Sequence, residues 1–286
     1  MVDTEDSRVT DETLIGRIAA GDPSAFDRLV RRHQAAVYRF VRAAVSPDVT
    51  DAGAEEILRE TFLAARRAAP RHRDEPSARP WLLALVRQAI DRLFPQAHER
   101  EVPSLRELAA EAGWGRAGGD EAPEYGAREV EAAFTALPPE DREILTLCDR
   151  EYFTVDETAR VTGLSDSAVC TRLHRARLRL LGGIAAGSPG EAVEAEKVVA
   201  GLHCGEVLAD LTENLDGRLS RDRAERLDEH LAGCAGCRRF DGAVIAAVRA
   251  VRQLADEPLD AEIEERLAAS LRGGRANRAN EDPALA

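Results

Sequence analysis

Residues Thr154–Leu181 read TVDETARVTGLSDSAVCTRLHRARLRLL. Thr154 and Glu157, three apart, form a capping box that opens a helix. Ala159 is small enough for a second helix to cross closely, and Gly163 supplies the left-handed turn that ends the first. Ser165 then caps a second helix, in which Val169, Leu173, Ala176 and Leu180 recur at helical spacing as an inward stripe. Its other faces carry Ser167, Thr171, Arg172, His174, Arg175, Arg177 and Arg179. From Arg160 to Leu180 there are five arginines (160, 172, 175, 177, 179) against one acid, Asp166, in a chain of formal net charge −13. Two helices joined by a tight glycine turn, the second one basic, predict a helix-turn-helix whose second helix enters the major groove. The plainer alternative is a two-helix hairpin with a solvated arginine face. Cap, turn and charge placement agree better with the first reading.

Composition sets the outer limits. At 286 residues the chain has room for two or three domains, each with its own core. Aromatic residues are only 4% of the total, and the abundance of Ala, Leu, Val and Arg predicts helices rather than sheets. No run of 18 apolar residues occurs. The nearest, Ala243–Leu254, is short and broken by Arg249 and Arg252, so no membrane span is expected. The start, MVDTEDSRVTDE, is acidic and unlike a secretory signal. Five cysteines, an odd number unevenly placed, argue against a disulfide framework and for a reducing cytoplasm. The acidic balance excludes indiscriminate nucleic-acid binding by the whole surface. DNA contact must come from local basic faces.

Upstream, Thr10 and Asp11 cap a helix carrying Leu14, Ile15 and Ile18, and the GDPSAF turn at Gly21–Phe26 breaks it. Ser24 is expected to cap the next helix, with Phe26, Leu29, Val30, Val37, Tyr38 and Val41 on one broad face. A third helix spans about Thr50 to Ala68, with Ile57, Thr61, Phe62 and Ala65 inward and Glu55, Glu56 and Glu60 outward. Pro76 and Pro80 bracket a turn before an apolar helix over Trp81–Phe94. Four helices with short connections predict a compact all-α domain.

These segments resemble a known family. GDPSAFDRLVRRHQAAVYRFVR, AEEILRETFLAA and PWLLALVRQAIDRL are similar to region 2 of extracytoplasmic-function (group 4) sigma factors of the sigma-70 family. LPPEDREILTLCDREYFTVDETARVTGLSDSAVCTRLHRARLRL is similar to their region 4. The similarity covers about residues 10–95 and 129–183, in the family's order. It implies that region 2 binds the clamp helices of core RNA polymerase and opens the −10 promoter element, while region 4 reads the −35 element. Carried over by position, Glu55, Glu56, Ile57, Glu60 and Phe62 lie in the polymerase-binding helix. Trp81, Arg87, Gln88 and Asp91 lie in the promoter-facing helix, and Ser167, Thr171, Arg172, His174 and Arg175 on the recognition helix. Core packing is the alternative for Trp81 and Phe62, and a solvated face for the three glutamates. The sequence departs from the family at Arg59, where Gln is usual, at Gln88, where Asn is usual, and at Cys170, where Lys is common. LFPQAHERE replaces the basic run that normally follows, removing phosphate contacts.

Residues 98–128, rich in Gly, Pro and acids, read as a flexible linker with one short helix around Leu105–Ala112. Region 4 begins with a helix over Leu137–Tyr152, with Pro138 and Pro139 in its first turn. Cys148 reads as a small buried hydrophobe.

After a loop over Gly182–Gly201 comes a second cluster: His203-Cys204, then LDGRLS, then His230-Leu-Ala-Gly-Cys234-Ala-Gly-Cys237. His230 and Cys234, four apart, point the same way on a helix, and Cys237 follows three later. Cys204 precedes His230 by one helix, a turn at Asp216-Gly217 and the start of another. Three thiolates and one imidazole make a closed tetrahedral set for a structural Zn2+. His203 and Cys204 diverge by about 100° on a helix, so one of them ligates, and Cys204 is the expected one. A coincidental or metal-free redox cluster is the alternative. The pattern resembles the zinc-binding anti-sigma domain over about residues 200–272, whose helices wrap a sigma factor and block polymerase. The helix Phe240–Leu254 and the stretch Leu259, Ile263, Leu267, Leu271 then supply docking faces or complete the small domain's own core.

The expected architecture is all-α: region 2 over 10–97, a linker over 98–128, region 4 over 129–183, a linker over 184–200, a zinc-binding domain over 201–272 and a disordered tail over 273–286. The expected function is a cytoplasmic sigma factor, with core RNA polymerase and promoter DNA as partners and an intramolecular sigma/anti-sigma contact controlling it in cis. A degenerate sigma-like regulator that binds DNA or a partner without initiating transcription is the alternative. No constellation points to an enzyme, because the acids sit on helix faces and the Cys/His set leaves no open coordination position.

Overall fold

The computed structural model describes residues 9–72, 77–94, 103–114, 123–185, 198–254 and 258–279. The chain divides into two compact units. The first comprises residues 1–97, 160–163 and 256–286.

Its helices are α1 (Asp11–Ala19), α2 (Pro23–Ala44), α3 (Asp51–Ala68) and α4 (Ala78–Leu93). Thr10 caps α1, its hydroxyl accepting from the Thr13 amide at 3.2 Å. The cap of α2 is Asp22 rather than Ser24. The Asp22 carboxylate accepts from the Ser24 and Ala25 amides at 2.8 and 3.3 Å, with Pro23 at the first helical position. A carboxylate is the stronger acceptor at a helix N-terminus, and Ser24 falls inside the first turn. Helix α4 begins at Ala78, earlier than the two prolines suggest. Ser77 caps it, and Pro80 sits in the first turn, where an amide has no intrahelical partner to lose.

Asp11 holds these helices in register. Its carboxylate accepts from the Ala78 amide at 3.0 Å, pairs with Arg32 at 2.8 Å and lies 3.0 Å from His33 Nε2. Burial opposes the charge, yet the hydrogen bonds from His33 and Arg32 keep this carboxyl well below the usual carboxylate range. Beneath it Leu14, Ile15, Phe26, Leu29, Phe40, Ile57, Phe62, Leu82 and Ile90 are buried, each contributing about 1.5–3 kcal/mol.

The second unit comprises residues 98–159 and 164–255. It contains α5 (Leu105–Glu111), α6 (Ala127–Ala136), α7 (Pro139–Leu145), α8 (Val155–Thr162, of which only the start belongs here) and α9 (Asp166–Ala185). A two-stranded antiparallel hairpin, β1 (Val198–Val199) and β2 (Leu202–His203), leads into α10 (Cys204–Leu215), α11 (Arg221–Gly233) and α12 (Ala235–Arg252). A π turn over Thr146–Arg150 widens the end of α7. The first helix of region 4 is thus two elements, and α6 precedes them. Helix α9 does not stop at Gly182 but runs through both glycines to Ala185. A side chain at Gly183 would sit 3.2 Å from the Ala133 methyl, so the absent Cβ lets α6 approach.

One hydrophobic core runs through this unit. Val130, Phe134, Ile144, Leu145, Val169, Leu173 and Leu180 are continuous with Leu202, Val207, Leu211, Leu227, Phe240, Val244 and Val251. The helices after residue 198 therefore do not form a core of their own. Helix α13 (Ala261–Ala279) returns the chain to the first unit, where it packs on α3. The expected disordered tail over 273–286 is helical as far as Ala279, and residues 280–286 lie outside the described residues, as does 186–197 of the expected linker. Among the described residues no helix is long and apolar enough to cross a membrane.

Candidate metal centre and nucleic-acid interface

Cys204 opens α10, His230 lies on the last turn of α11, Cys234 joins α11 to α12, and Cys237 lies on the first turn of α12. All four are buried, and their ligating atoms lie within 4.8 Å of one another. Cys204 Sγ stands 3.6 Å from His230 Nε2 and 3.8 Å from Cys234 Sγ. A tetrahedral zinc with sulfur at about 2.3 Å and nitrogen at about 2.05 Å has edges of about 3.6 Å (S···N) and 3.8 Å (S···S). The donor set and its spacing fit that ion. His230 Nδ1 faces the Val199 carbonyl at 3.3 Å, an arrangement that puts the proton on Nδ1 and the Nε2 lone pair toward the sulfurs. Burial and the neighbouring sulfurs push the Cys237 thiol up. Three sulfurs this close become thiolates together only around a cation. His203, by contrast, is exposed and its amide donates to Glu206 at 2.8 Å.

The hairpin that supplies Val199 was not legible in the sequence. Ala200 and Gly201 turn with φ of 51° and 75°, the conformation of a two-residue hairpin loop. Gly233, between two candidate ligands, admits it closely: a Cβ there would lie 2.6 Å from Val199 Cγ1.

On α9, Ser167 and Thr171 are exposed, and Arg172 and Arg175 are half-buried. Ser167, Thr171 and Arg175 are spaced by four and share one face. His174 and Arg177 depart from the expected outer face, since both are buried. The reason lies in the second half of α9, which is covered by α5, α6 and α12. Burial, with Arg177 and Arg175 nearby, pushes the His174 imidazole down to about 4. This depression sets a pH dependence. The unfolded chain binds the proton first, so stability is intact above about pH 6.5 and falls as pH drops toward 4. His174→Gln is expected to remove up to about 3 kcal/mol of the acid sensitivity, read as a flatter plot of urea midpoint against pH over that window.

Arg177 sits at 1% exposure between two carboxylates. It donates to Asp149 at 2.7 and 3.1 Å and to Asp216 at 2.7 and 3.0 Å. Arg252 stands 3.7 Å from Asp149 and stacks over the Tyr152 ring at 5.4 Å. The π turn and the α10–α11 turn thus meet at a cluster of two cations and two anions, with Arg177 and Asp149 buried at its centre and Asp216 and Arg252 closing it from the solvent side. Only the Asp216-Gly217 turn was visible beforehand.

In the first unit, Glu55, Glu56 and Glu60 lie on the partly exposed side of α3, while Ile57 and Phe62 are in the core. Arg59, the residue that stands where Gln is usual, bridges Glu56 at 2.6 Å and Glu60 at 3.0 Å. Arg92 also reaches Glu60, at 2.8 Å. Glu55 is held by α13, with Arg266 donating to it at 2.6 and 2.9 Å. Trp81 is turned inward at 8% exposure and stacks on His72 at 5.0 Å. Arg87 is half-buried and paired with Asp91.

Comparison with known proteins gives three family matches along the chain. The sigma-70 region 2 family profile matches residues 29–98, the sigma-70 region 4 profile residues 127–180, and a zinc-finger family profile residues 204–238. Among curated proteins, the chain is similar to "ECF RNA polymerase sigma factor SigM" of Mycobacterium tuberculosis H37Rv, 29% identical over 177 residues, covering 60% of this chain and 83% of the relative. It is likewise similar to SigM of the Erdman strain, at 30% identity with 58% and 81% covered. "RNA polymerase sigma factor CarQ" of Myxococcus xanthus is 32% identical, with 56% and 88% covered. The chain belongs to the ECF RNA polymerase sigma factors and carries a zinc-finger-type, anti-sigma-like domain fused behind its sigma regions.

Proposed function

We propose that this protein directs core RNA polymerase to specific promoters and that its fused C-terminal domain restrains it in cis. Region 2 engages polymerase through the Glu55, Glu56 and Glu60 side of α3 and opens the −10 element. Region 4 reads the −35 element with Ser167, Thr171, Arg172 and Arg175. Cys204, His230, Cys234 and Cys237 hold a structural Zn2+ that fixes α10, α11 and the start of α12. The observation that carries the restraint is α13 lying along α3. Leu267 and Leu271 are buried, Arg266 grips Glu55, and Glu264 accepts from Gln34 at 2.8 Å. Polymerase and α13 therefore compete for one glutamate and the face around it.

The exposed ion pair is weak by itself, and the two leucines supply most of the hold. A tethered contact acts at millimolar effective concentration, so modest affinity keeps it closed. Arg266→Glu combined with Leu267→Asp is expected to raise promoter-specific run-off transcription with core polymerase about tenfold. Transcription unchanged or lowered by the double substitution would sink the cis restraint.

A further inference from the structure

Two helices behind region 4 carry a candidate metal ligand at one end and a contact to region 4 at the other. Helix α10 opens at Cys204 and ends at Leu215, beside Asp216, a span of about 18 Å. The Asp216 carboxylate accepts from Arg177 of α9 at 2.7 and 3.0 Å. Helix α12 holds Cys237 in its first turn and ends at Arg252, about 22 Å further along. Arg252 stands 3.7 Å from Asp149 in the π turn, and Arg150 of the same turn donates to the Leu254 carbonyl at 3.2 Å. Helices of this length bend only gently, so a shift at the cysteine end moves the contacts at the far end.

Between those ends the same helices line the interior of region 4. Val207 and Leu211 of α10 are four apart, as are Phe240 and Val244 of α12, so each pair lies on one face. All four belong to the buried cluster that also contains Phe134 of α6 and Leu173 of α9. Helix α12 packs against α6, α9 and the π turn, and α10 packs against α9. Region 4 has little to fall back on without them. Helices α6, α7 and α8 have ten, seven and eight residues, too short to persist alone in water. The stretch from α6 to the end of α9 amounts to about 60 residues, a size at which one core is marginal. Arg177, at 1% exposure, would also lose one of its two carboxylates.

We propose that the zinc site braces the promoter-reading helix. Helices α10 and α12 pass the position of Cys204 and Cys237 on to α9, and loss of the metal unfolds region 4 instead of freeing it. The fused segment then acts with two signs. Its α13 restrains region 2, while its metal-bound body keeps region 4 able to read DNA. Metal status thereby becomes a condition for transcription. That last step rests on the sigma-factor reading, whereas the brace itself is a property of the chain and its four-residue site.

The test is segment-resolved hydrogen exchange on the full-length chain when zinc-loaded, after chelation, and as Val251→Asp. Val251 is fully buried in the shared core and lies fourteen residues beyond Cys237, about 21 Å along α12, so this variant is expected to keep its metal. Chelation should speed exchange of amides 170–181 about a hundredfold or more, together with 205–215 and 238–251, while α2 to α4 stay protected. Val251→Asp should speed 170–181 about tenfold or more with zinc retained. Undiminished protection of 170–181 after chelation, or in Val251→Asp, would overturn the brace. So would a chain purified without zinc whose α9 is fully protected. With α13 displaced by Arg266→Glu and Leu267→Asp, prior chelation of the protein should lower run-off transcription about tenfold or more, and a rise would refute the sign. Failure of the sigma reading would appear instead as absent promoter-specific transcription from the loaded chain, with these exchange rates as expected.

Discussion

Cys237→Ser is expected to strip the chain of its zinc and to melt residues 198–254, while α1 to α4 keep their protection. A serine hydroxyl does not ionise near neutral pH, so the closed four-donor set drops to two thiolates and an imidazole. Structural zinc contributes about 10–16 kcal/mol in small domains near pH 7. Losing a third of that approaches the whole stability of a typical domain, about 5–15 kcal/mol. The helices after residue 198 have little to replace it, because their apolar residues complete a core that they share with region 4. Metal content per chain, with hydrogen exchange resolved by segment, is the check. Cys148→Ala is the control: its half-buried thiol lies outside the four-residue cluster, is pushed up to about 11 by desolvation, and is bonded to Thr158 at 3.4 Å. One zinc per chain in the Cys237→Ser protein would remove the proposed ligand set.

Arg177→Met is expected to destabilise the second unit by about 3 kcal/mol, at the low end of the range for breaking a buried ion pair. The loss comes from Asp149, itself 1% exposed, which is left charged without its bidentate partner. Arg252 at 3.7 Å softens the loss. Asp149→Asn added to Arg177→Met should recover part of it, since the stranded charge is gone. Urea unfolding followed by circular dichroism reads both, and a loss under about 1 kcal/mol for the single substitution would show that the cluster is hydrated. The same arginine was read from sequence as an outward cation. Nothing in helical spacing distinguishes Arg177 from Arg175, because the difference is made by Asp149, placed by a π turn, and by Asp216, 39 residues downstream.

That contrast defines what could be read in advance. Local rules found the Thr154 capping box, the Gly163 turn, the inward stripe of α9, the helix around Leu105 and the spacing that brings Cys204 to His230. Periodicity also had Ile57 and Phe62 inward. Missed were features fixed by competition or by distant partners. Asp22 outcompeted Ser24 as a cap. Val130, Ala133, Phe134 and Leu137 carried a helical signature for α6 that the surrounding Gly, Pro and acids obscured. The Val199 carbonyl and the grip of Arg266 on Glu55 had no local signal, since each depends on residues 31 and 211 positions away.

The continuous apolar interior of residues 103–254 bears on how such a protein can be cut and rebuilt. Cleaving behind α9 would strip Arg177 of Asp216 and take Leu202, Val207, Leu227 and Phe240 out of the shared core, inviting aggregation rather than delivering a liberated regulator. Severing the chain behind Leu254 leaves this core whole and detaches α13 with its buried Leu267 and Leu271. Grafting this regulatory add-on to another sigma chain would mean transplanting the linker helix, region 4 and the cysteine cluster as one block, with α13 behind it.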